Sequence, residues 1–369
     1  MGSSIGIQST QGLSLSRGEA RDVPRPTGST SEEPANKAIR NYFLAESAEF
    51  RQLHELREKG WNNPSGDIFF KNQRQSSDNA DNRTAVFFYD LMKNIGEELH
   101  QATRAFDIRR KSAQPKILLD MCMAPGGFLA TALRKNPGAG ALAFSLPVSD
   151  GGHKVLLPAT PNVEEKLLDI TMLAEDMGIE EIPEDHPDAG HFLPRQFKPD
   201  QLFDLVLCDG QVLRTHKRAS YREKREGTRL TVTQLALGLE HLRPGGTLVI
   251  LLHKLERVDT ANLLRTFSKI SSVRCFKPEK AHRIRSSFYM VATNVQSQHP
   301  DAIQAIKTWK AAWKMATFGT DEDYEKSPRN DGKDVEKMLA EFGADLVNMG
   351  RQAWRVQAAA LSKASFIRS

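Results

Sequence analysis

The sequence has few cysteines and no long hydrophobic run. Its 369 residues include only three cysteines, at positions 122, 208 and 275, which are too far apart for a metal knuckle and too few for a disulfide framework. This favours an intracellular protein, nuclear or cytoplasmic. No apolar run reaches the roughly 18 residues of a membrane-spanning helix, and residues 1–10 lack the layout of a signal peptide, so no membrane association is predicted. The ten histidines show no ligand spacing, so no metal site is predicted either.

Charge is segregated along the chain. The totals of 51 basic and 46 acidic residues give a net charge of only +5. Residues 211–229, however, contain seven bases and two acids, and residues 274–285 contain five bases and one acid. Residues 161–200 instead contain eleven acids and three bases. Such blocks bear on binding partners rather than on the fold.

Both ends of the chain differ in composition from its middle. Residues 1–36 are rich in Ser, Gly, Pro and Thr, which predicts a disordered tail. In residues 37–110, apolar residues recur at helical spacing from Asn36 to Lys59 and from Arg83 to Ala105, with a break at 62–66. Residues 298–369 show similar spacing. We therefore predict helical N- and C-terminal extensions, which could offer a surface to a protein partner.

The middle segment, residues 111–297, alternates short apolar runs with helical patterns. Continuous apolar runs are typical of strands that are buried on both faces of a parallel sheet. Four such runs lie at residues 116–120, 140–144, 203–209 and 247–252, and a fifth at 288–295 is predicted as an edge or antiparallel strand. This order predicts an α/β fold, a doubly wound Rossmann-like sheet.

The most specific motif is Leu-Asp-Met-Cys-Met-Ala-Pro-Gly-Gly-Phe at residues 119–128, where the first predicted strand ends. Ligands of open α/β sheets bind beyond the carboxyl ends of the strands, and glycines allow the backbone to approach them closely. The string lacks the third glycine and the acidic residue of the dinucleotide fingerprint. It therefore predicts a site for a different nucleotide-like cofactor.

At these residues the sequence resembles the FtsJ-type (RrmJ-like) S-adenosylmethionine-dependent RNA ribose 2′-O-methyltransferases. The resemblance covers roughly residues 85–295. It rests on Asp120 with the string at 124–128, on Leu-Cys-Asp-Gly at 207–210, on Leu-Arg-Pro-Gly-Gly-Thr at 242–247 leading to Lys254, and on Ser-Ser-Phe-Tyr-Met-Val at 286–291.

The resemblance implies a methyltransferase fold, S-adenosylmethionine as cofactor and RNA as partner. In that family a Lys-Asp-Lys-Glu tetrad handles the target hydroxyl, which implies catalytic roles for Asp209 and Lys254. Asp169 is implied as the acid on the adenine side. The implied cofactor-binding residues are Asp120, Met121, Ala124, Pro125, Gly126, Gly127, Phe128 and Asp169.

The residues themselves support the pairing of Asp209 with Lys254. Asp209 ends a buried apolar strand, where a carboxylate without a cationic partner is costly. Lys254 follows the next apolar strand. A structural ion pair between neighbouring strands remains an alternative interpretation.

Two tetrad positions depart from the family pattern. Phe88 stands at the position of the first lysine, with Lys93 about one turn away, and Ser287 stands at the position of the glutamate. Lys71 or His253 could supply a substitute cation. The departures leave open a weakened methyltransferase fold that serves as an RNA- or protein-binding module; a methyltransferase with a protein or small-molecule acceptor is a third reading.

The two basic segments are predicted to flank the catalytic end of the sheet, where cations would meet RNA phosphates. A merely solvated helix face is the alternative. The candidate RNA-binding residues are Arg214, Lys217, Arg218, Arg222, Lys280, Arg283 and Arg285.

Overall fold

A computed structural model describes residues 34–78, 82–109, 114–326 and 332–368. Of the predicted disordered tail, residues 1–33 therefore lie outside the described residues, and residues 34–36 open the first helix. The predicted boundary between residues 110 and 111 also lies outside them. Within the described ranges, no helix combines the length and the apolar character needed to cross a bilayer.

The N-terminal region forms four helices: α1 (Pro34–Glu46), α2 (Ala48–Trp61), α3 (Pro64–Asp78) and α4 (Asn82–Thr103). The single helical pattern predicted from residue 36 to 59 is thus divided at Ser47. The Ser47 hydroxyl accepts a hydrogen bond from the Phe50 backbone N–H at 3.2 Å, which caps the start of α2. The predicted break is confined to residues 62 and 63, because Pro64 already begins α3, a position that proline tolerates well.

The centre of the molecule is a seven-stranded sheet with the order β3-β2-β1-β4-β5-β7-β6. Its strands are β1 (Ile117–Asp120), β2 (Gly140–Ser145), β3 (Val163–Leu167), β4 (Phe203–Cys208), β5 (Leu242–His253), β6 (Ser272–Phe276) and β7 (Ser287–Val295). The strands β1 to β5 are parallel to one another, and β7 pairs antiparallel with both β5 and β6.

All five predicted strands are present, and the α/β fold class is confirmed. The final strand, β7, is antiparallel as predicted, but it is not an edge because β6 lies outside it. The sequence pattern did not reveal β3 and β6. β3 reads Val-Glu-Glu-Lys-Leu and forms an edge, so it carries charged residues where a central strand would be apolar.

Helices cover both faces of the sheet. Alternate residues of the strands point to opposite sides, so Val206 of β4 belongs to one core layer and Leu207 to the other. α4 and α5 (Gly127–Lys135) cover the Leu207 side. The Val206 side is covered by α1, α2, α6 (Glu226–Glu240), α7 (Val258–Ile270), α8 (Pro300–Phe318) and α10 (Gly332–Leu361).

The terminal helices share this second core layer. The ring centroids of Phe43 in α1 and Phe50 in α2 each lie 5.0 Å from that of Trp354 in α10. Trp313 in α8 is fully buried, and two short helices, α9 (Asp321–Lys326) and α11 (Ser365–Arg368), complete the C-terminal region. The apolar faces of the two extensions are therefore buried against each other and against the sheet.

Candidate active site

A pocket opens at the carboxyl ends of β1, β2, β3 and β4. The empty space in and above it, including space open to solvent, is about 670 Å³. Its lining is drawn from the segments that follow the strands. The lining residues are Met121, Cys122, Ala124, Ser145, Leu146, His153, Leu168, Asp169, Ile170, Thr171, Asp209, Gly210, Gln211, Val212, Leu213, His216, Glu226 and Leu230.

The segment after β1 is held firmly at the base of this pocket. Asp120 is buried, and its Oδ1 accepts the backbone N–H of Cys122 at 3.1 Å. The Met121 N–H donates to the Leu207 carbonyl at 3.0 Å, and the Met123 N–H donates to the Phe144 carbonyl at 2.8 Å. Of the residues that the resemblance implies as cofactor-binding, Met121, Ala124 and Asp169 line the pocket.

The two glycines of the motif have structural roles, Gly126 through its backbone conformation and Gly127 through helix packing. Gly126 has a φ of +106° at the start of α5, a conformation that favours glycine. A β-carbon on Gly127 would lie 2.2 Å from the Tyr89 carbonyl oxygen, so glycine allows α5 to contact α4. The Phe128 ring is buried against Tyr289. Of the implied cofactor-binding residues, Asp120, Pro125, Gly126, Gly127 and Phe128 lie outside the lining.

Asp209 and Lys254 follow two adjacent parallel strands. β4 ends at Cys208, which pairs with Ile250 of β5, and β5 ends at His253. Asp209 is buried and lines the pocket. Lys254 has a φ of +48°, and its N–H donates to the Ser286 carbonyl at 3.2 Å. A left-handed conformation costs a non-glycine residue about 1–2 kcal/mol, so the surrounding fold must hold this turn in place.

Gln211 and His253 connect the segments that carry these two residues. The His253 Nε2 lies 2.9 Å from the Gln211 Oε1, and the Gln211 Nε2 donates to the Gly210 carbonyl at 2.8 Å. His253, which the sequence offered as a substitute cation, therefore contacts a neutral amide that lines the pocket.

Cys122 faces the pocket but is a poor nucleophile. Burial raises the pKa of its thiol well above the ordinary value, and the carboxylates of Asp209 and Asp120 raise it further. The same causes raise the pKa of Cys208. Because only a thiolate attacks readily, a mechanism that begins with a cysteine nucleophile is disfavoured at this site.

The two departures from the tetrad have different surroundings. Phe88 is buried in α4, while Lys93 is half-exposed with its Nζ 3.2 Å from Asp90. Lys71 is exposed on α3. The second departure, Ser287, lies beside a buried lysine, Lys277, which the sequence analysis did not single out.

Lys277 serves the loop that precedes β7. Its Nζ donates to the backbone carbonyls of His282, Arg285 and Ser287 at 3.1, 2.6 and 2.7 Å. A buried ammonium group with several carbonyl partners fixes the path of a loop. Lys277 therefore shapes the segment that ends at the glutamate position of the tetrad.

A buried ionic cluster forms one side of the pocket around Asp169. Its Oδ2 contacts the Arg222 Nη2 at 2.5 Å and the His216 Nε2 at 3.2 Å. Arg222 also forms a two-point contact with Glu226, with its Nε and Nη2 each 2.8 Å from a carboxylate oxygen. Burial raises the pKa of Asp169, but the contacts with His216 and Arg222 outweigh burial, so the pKa lies well below its usual range. Asp169 is therefore ionised at neutral pH.

The same cluster has the donor atoms of a metal site. The nearest ligand atoms of Asp169, His216 and Glu226 lie within 4.8 Å of one another. Arg222 already supplies a cation to both carboxylates.

The basic segments divide into exposed and buried cations. Arg214, Lys217, Lys280 and Arg283 are exposed. Three of the residues predicted to bind RNA have buried side chains that contact other parts of the protein, and for these RNA binding stays a prediction. They are Arg218, Arg222 and Arg285.

Each buried arginine has a different partner. Arg218 donates hydrogen bonds to the carbonyl of Leu213 and to the carboxylate of Glu223, and these bonds stabilise the loop to which Arg218 belongs. Arg222 belongs to the cluster around Asp169, and the Arg285 guanidinium lies 5.2 Å from the centre of the Phe70 ring. A count of charges along the sequence cannot separate such residues from solvated ones.

Several lining residues had no sequence signal as functional residues. Thr171, Gln211, His216 and Glu226 are common polar residues without characteristic spacing. His216 and Glu226 lie 47 and 57 positions after Asp169 in the chain, so only the fold brings them together.

A comparison with protein-family profiles identifies a family for this chain. The profile of the FtsJ-like methyltransferase family matches residues 95–295, more than half of the chain. No curated protein sequence matches.

Similar solved structures include human methyltransferase-like protein 13 in complex with SAH (12% identity, 59% of this chain and 92% of that chain, TM-score 0.33). Another is an O-methyltransferase family protein from Burkholderia thailandensis, with 12% identity, coverage of 71% of this chain and 72% of that chain, and a TM-score of 0.32. A third is an rRNA methylase from Streptococcus thermophilus, with 15% identity, coverage of 49% of this chain and 88% of that chain, and a TM-score of 0.28.

Proposed function

This chain belongs to the FtsJ-like methyltransferase family, and from that premise we propose that it transfers a methyl group from S-adenosylmethionine to a ribose 2′-hydroxyl of an RNA. The observation that carries the proposal is the position of Asp209 and Lys254 after two adjacent strands, at the edge of the sheet where the pocket opens.

The pocket suits this cofactor chemically. Its lining combines the carboxylate of Asp209 with apolar side chains, among them Leu168, Ile170 and Leu230. S-Adenosylmethionine carries a cationic sulfonium and an ammonium group on its methionine part and a flat purine on its adenosine part. Negative charge and apolar contacts therefore both favour its binding. When bound, the cofactor supplies an electrophilic methyl group.

The residues of the chain then have to position and deprotonate the hydroxyl. Asp209 accepts a hydrogen bond from the hydroxyl and takes up its proton as the oxygen–methyl bond forms, and Lys254 stabilises the negative charge that develops on the oxygen. Positioning and proton handling each contribute orders of magnitude to such reactions. The raised pKa of Cys122 keeps a competing thiolate away from the electrophile.

RNA is the acceptor class that the exposed cations support. Arg214 and Lys217 lie in the connection that leaves Asp209, and Lys280 and Arg283 lie in the loop before β7. β7 pairs with β5, the strand that leads to Lys254, so both loops belong to the neighbourhood of the same strand ends. Cations so placed would bind phosphates on either side of the reacting ribose.

The test uses the full chain, labelled S-adenosylmethionine and total RNA. We expect label in nucleotides that resist alkaline cleavage at the modified position, since a methylated 2′-oxygen cannot attack the neighbouring phosphate. Lys254→Ala and Asp209→Asn should each lower transfer about 10²- to 10⁴-fold. Lys93→Ala, which removes a half-exposed lysine of α4, is the control and should retain activity. Transfer that survives both site variants would refute the assigned roles.

A second candidate is an RNA- or protein-binding module, and the observation that favours it is the pair of tetrad departures at Phe88 and Ser287. Losing two catalytic groups can leave a fold that binds without turnover. Calorimetry with S-adenosylmethionine, combined with the transfer assay, separates the two candidates. Cofactor binding without transfer to any RNA supports the module, whereas transfer to RNA supports the enzyme.

A further inference from the structure

The carboxylate of Asp169 has its hydrogen-bonding capacity filled by the protein itself. An ionised carboxylate offers about four lone-pair positions on its two oxygens. The Asp169 Oδ1 accepts from the Thr171 backbone N–H at 2.9 Å and from the Thr171 hydroxyl at 2.8 Å. The Oδ2 accepts from Arg222 at 2.5 Å and contacts the His216 Nε2 at 3.2 Å.

Apart from Thr171, these partners come from one segment elsewhere in the chain. His216 and Arg222 belong to the connection that follows Asp209, and Glu226, which pairs with Arg222, begins the helix α6. The side chains of Arg222 and Glu226 are 4% and 2% exposed, so their contacts with Asp169 and Thr171 are shielded from solvent. Ion pairs that are buried and share several hydrogen bonds are costly to break.

The exposed cations of the same segment are held next to this cluster. Arg214 and Lys217 flank His216 closely in the chain, and the Lys217 N–H donates to the Asp150 carbonyl at 3.0 Å. The Thr215 hydroxyl donates to the Gly151 carbonyl at 2.7 Å. The segment is therefore fixed at two places, the loop after β2 and Asp169.

We propose that the Asp169 carboxylate anchors the basic connection 211–229 to the rim of the pocket, instead of accepting a hydrogen bond from the purine amino group of the cofactor. Asp169 is then a positioning residue that aligns Arg214 and Lys217 with the pocket. This rests on the proposed function in one respect, since it takes the pocket to be the cofactor site.

The first test is backbone hydrogen exchange of the protein alone, which needs neither cofactor nor RNA. Asp169→Asn should speed exchange in residues 211–229 at least about tenfold, because a released segment opens more often. His216→Gln, a milder change in the loop, should speed it less and serves if the first variant fails to fold. Asp185→Asn removes the same charge from an exposed position and should leave exchange unchanged.

The second test compares two ligands, S-adenosylhomocysteine and S-inosylhomocysteine, which differ in the purine amino group. If Asp169 is an anchor, Asp169→Asn changes both affinities by the same factor. A carboxylate that reads the amino group would instead make the adenosyl ligand alone lose affinity, by about 100-fold or more, since a site built around a hydrogen bond discriminates strongly.

RNA affinity is a third measurement, because the change in charge and the loss of the anchor should shift the RNA affinity of Asp169→Asn in opposite directions. Asp169→Asn makes the protein more positive, so electrostatics alone predicts tighter RNA binding, whereas a released segment predicts weaker binding. Unchanged exchange at 211–229, or a loss confined to the adenosyl ligand, would overturn the proposal. If the unaltered protein binds neither ligand, the proposed function fails, and hydrogen exchange still decides whether Asp169 is the anchor.

Discussion

The His253 Nε2 lies 2.9 Å from the Gln211 Oε1, and this contact joins the ends of β5 and β4 directly beside Lys254 and Asp209. Neither residue belongs to the tetrad of the family. The contact fixes the relative position of the two segments on which the proposed chemistry depends, and small displacements of catalytic groups are costly.

We predict that Gln211→Ala lowers the rate of methyl transfer roughly 10- to 100-fold, because the end of β4 loses its tie to β5. His253→Phe should have a similar effect, and His253→Gln, which keeps a hydrogen-bond donor, should restore part of the rate. Steady-state kinetics with RNA measure the change. Equal rates for the Phe and Gln variants would show that the hydrogen bond has no positioning role.

Arg222 and Lys224 provide a matched pair of cations within one segment. Arg222→Gln removes the cation shared by Asp169 and Glu226, and breaking such a buried pair costs about 3–5 kcal/mol in the free energy of unfolding. Lys224 is exposed, so Lys224→Gln should change it by less than about 0.5 kcal/mol. Urea denaturation measures both, and similar values for the two variants would contradict the buried cluster.

The exposed cations should control RNA binding without affecting stability. The double variant Arg214→Gln with Lys217→Gln should weaken RNA binding and reduce the salt-dependence slope by about one to two units. The control, Lys307→Gln with Lys314→Gln, removes the same charge from exposed positions on α8. Fluorescence anisotropy across a salt series gives both slopes. An equal change in the control would mean that net charge alone governs binding.

Stability should fall on mild acidification because of a buried histidine. Burial lowers the pKa of His241, which stacks on Phe197 and lies 2.8 Å from the Gln201 carbonyl oxygen. The folded state therefore resists protonation, while the unfolded chain takes up a proton near its reference pKa of about 6.5. The contribution to stability is present above that pKa and is lost as pH falls through it towards the folded-state pKa.

We accordingly expect a lower urea midpoint at pH 5.5 than at pH 7.5. His241→Asn keeps a donor for the Gln201 carbonyl but cannot titrate, so it should reduce the difference between the two midpoints. An unchanged difference would assign the pH dependence to other groups, such as His100, whose pKa burial also lowers.

Gly127 and Gly227 test the packing role of the motif glycine. Gly127→Ala would place a β-carbon 2.2 Å from the Tyr89 carbonyl oxygen, so α5 must shift, at a cost of about 1–3 kcal/mol. Gly227 lies in α6 with open space around it, and Gly227→Ala should stabilise the protein by about 0.4–1 kcal/mol. Thermal denaturation should shift the two midpoints in opposite directions.

The sequence by itself determined the sheet and the two residues that follow its central strands. Short apolar runs predict buried strands, because a strand that is covered on both faces needs apolar residues throughout. Consecutive strands tend to be neighbours in a sheet, so an aspartate and a lysine that follow consecutive runs are predicted to lie at the same end of the sheet. It missed β3 and β6, which lie at the sheet edges and need no continuous apolar run.

Only the tertiary structure decided which cations face solvent and which carboxylates still offer acceptor positions. Arg214 and Arg222 look alike in the chain, yet one is exposed and the other is buried between Asp169 and Glu226. The burial of Arg222 and the occupancy of the Asp169 carboxylate depend on contacts between residues about fifty positions apart, and no local pattern contains them. The family resemblance implied Asp169 as a residue of the cofactor site, and it could not show which side chains contact its carboxylate.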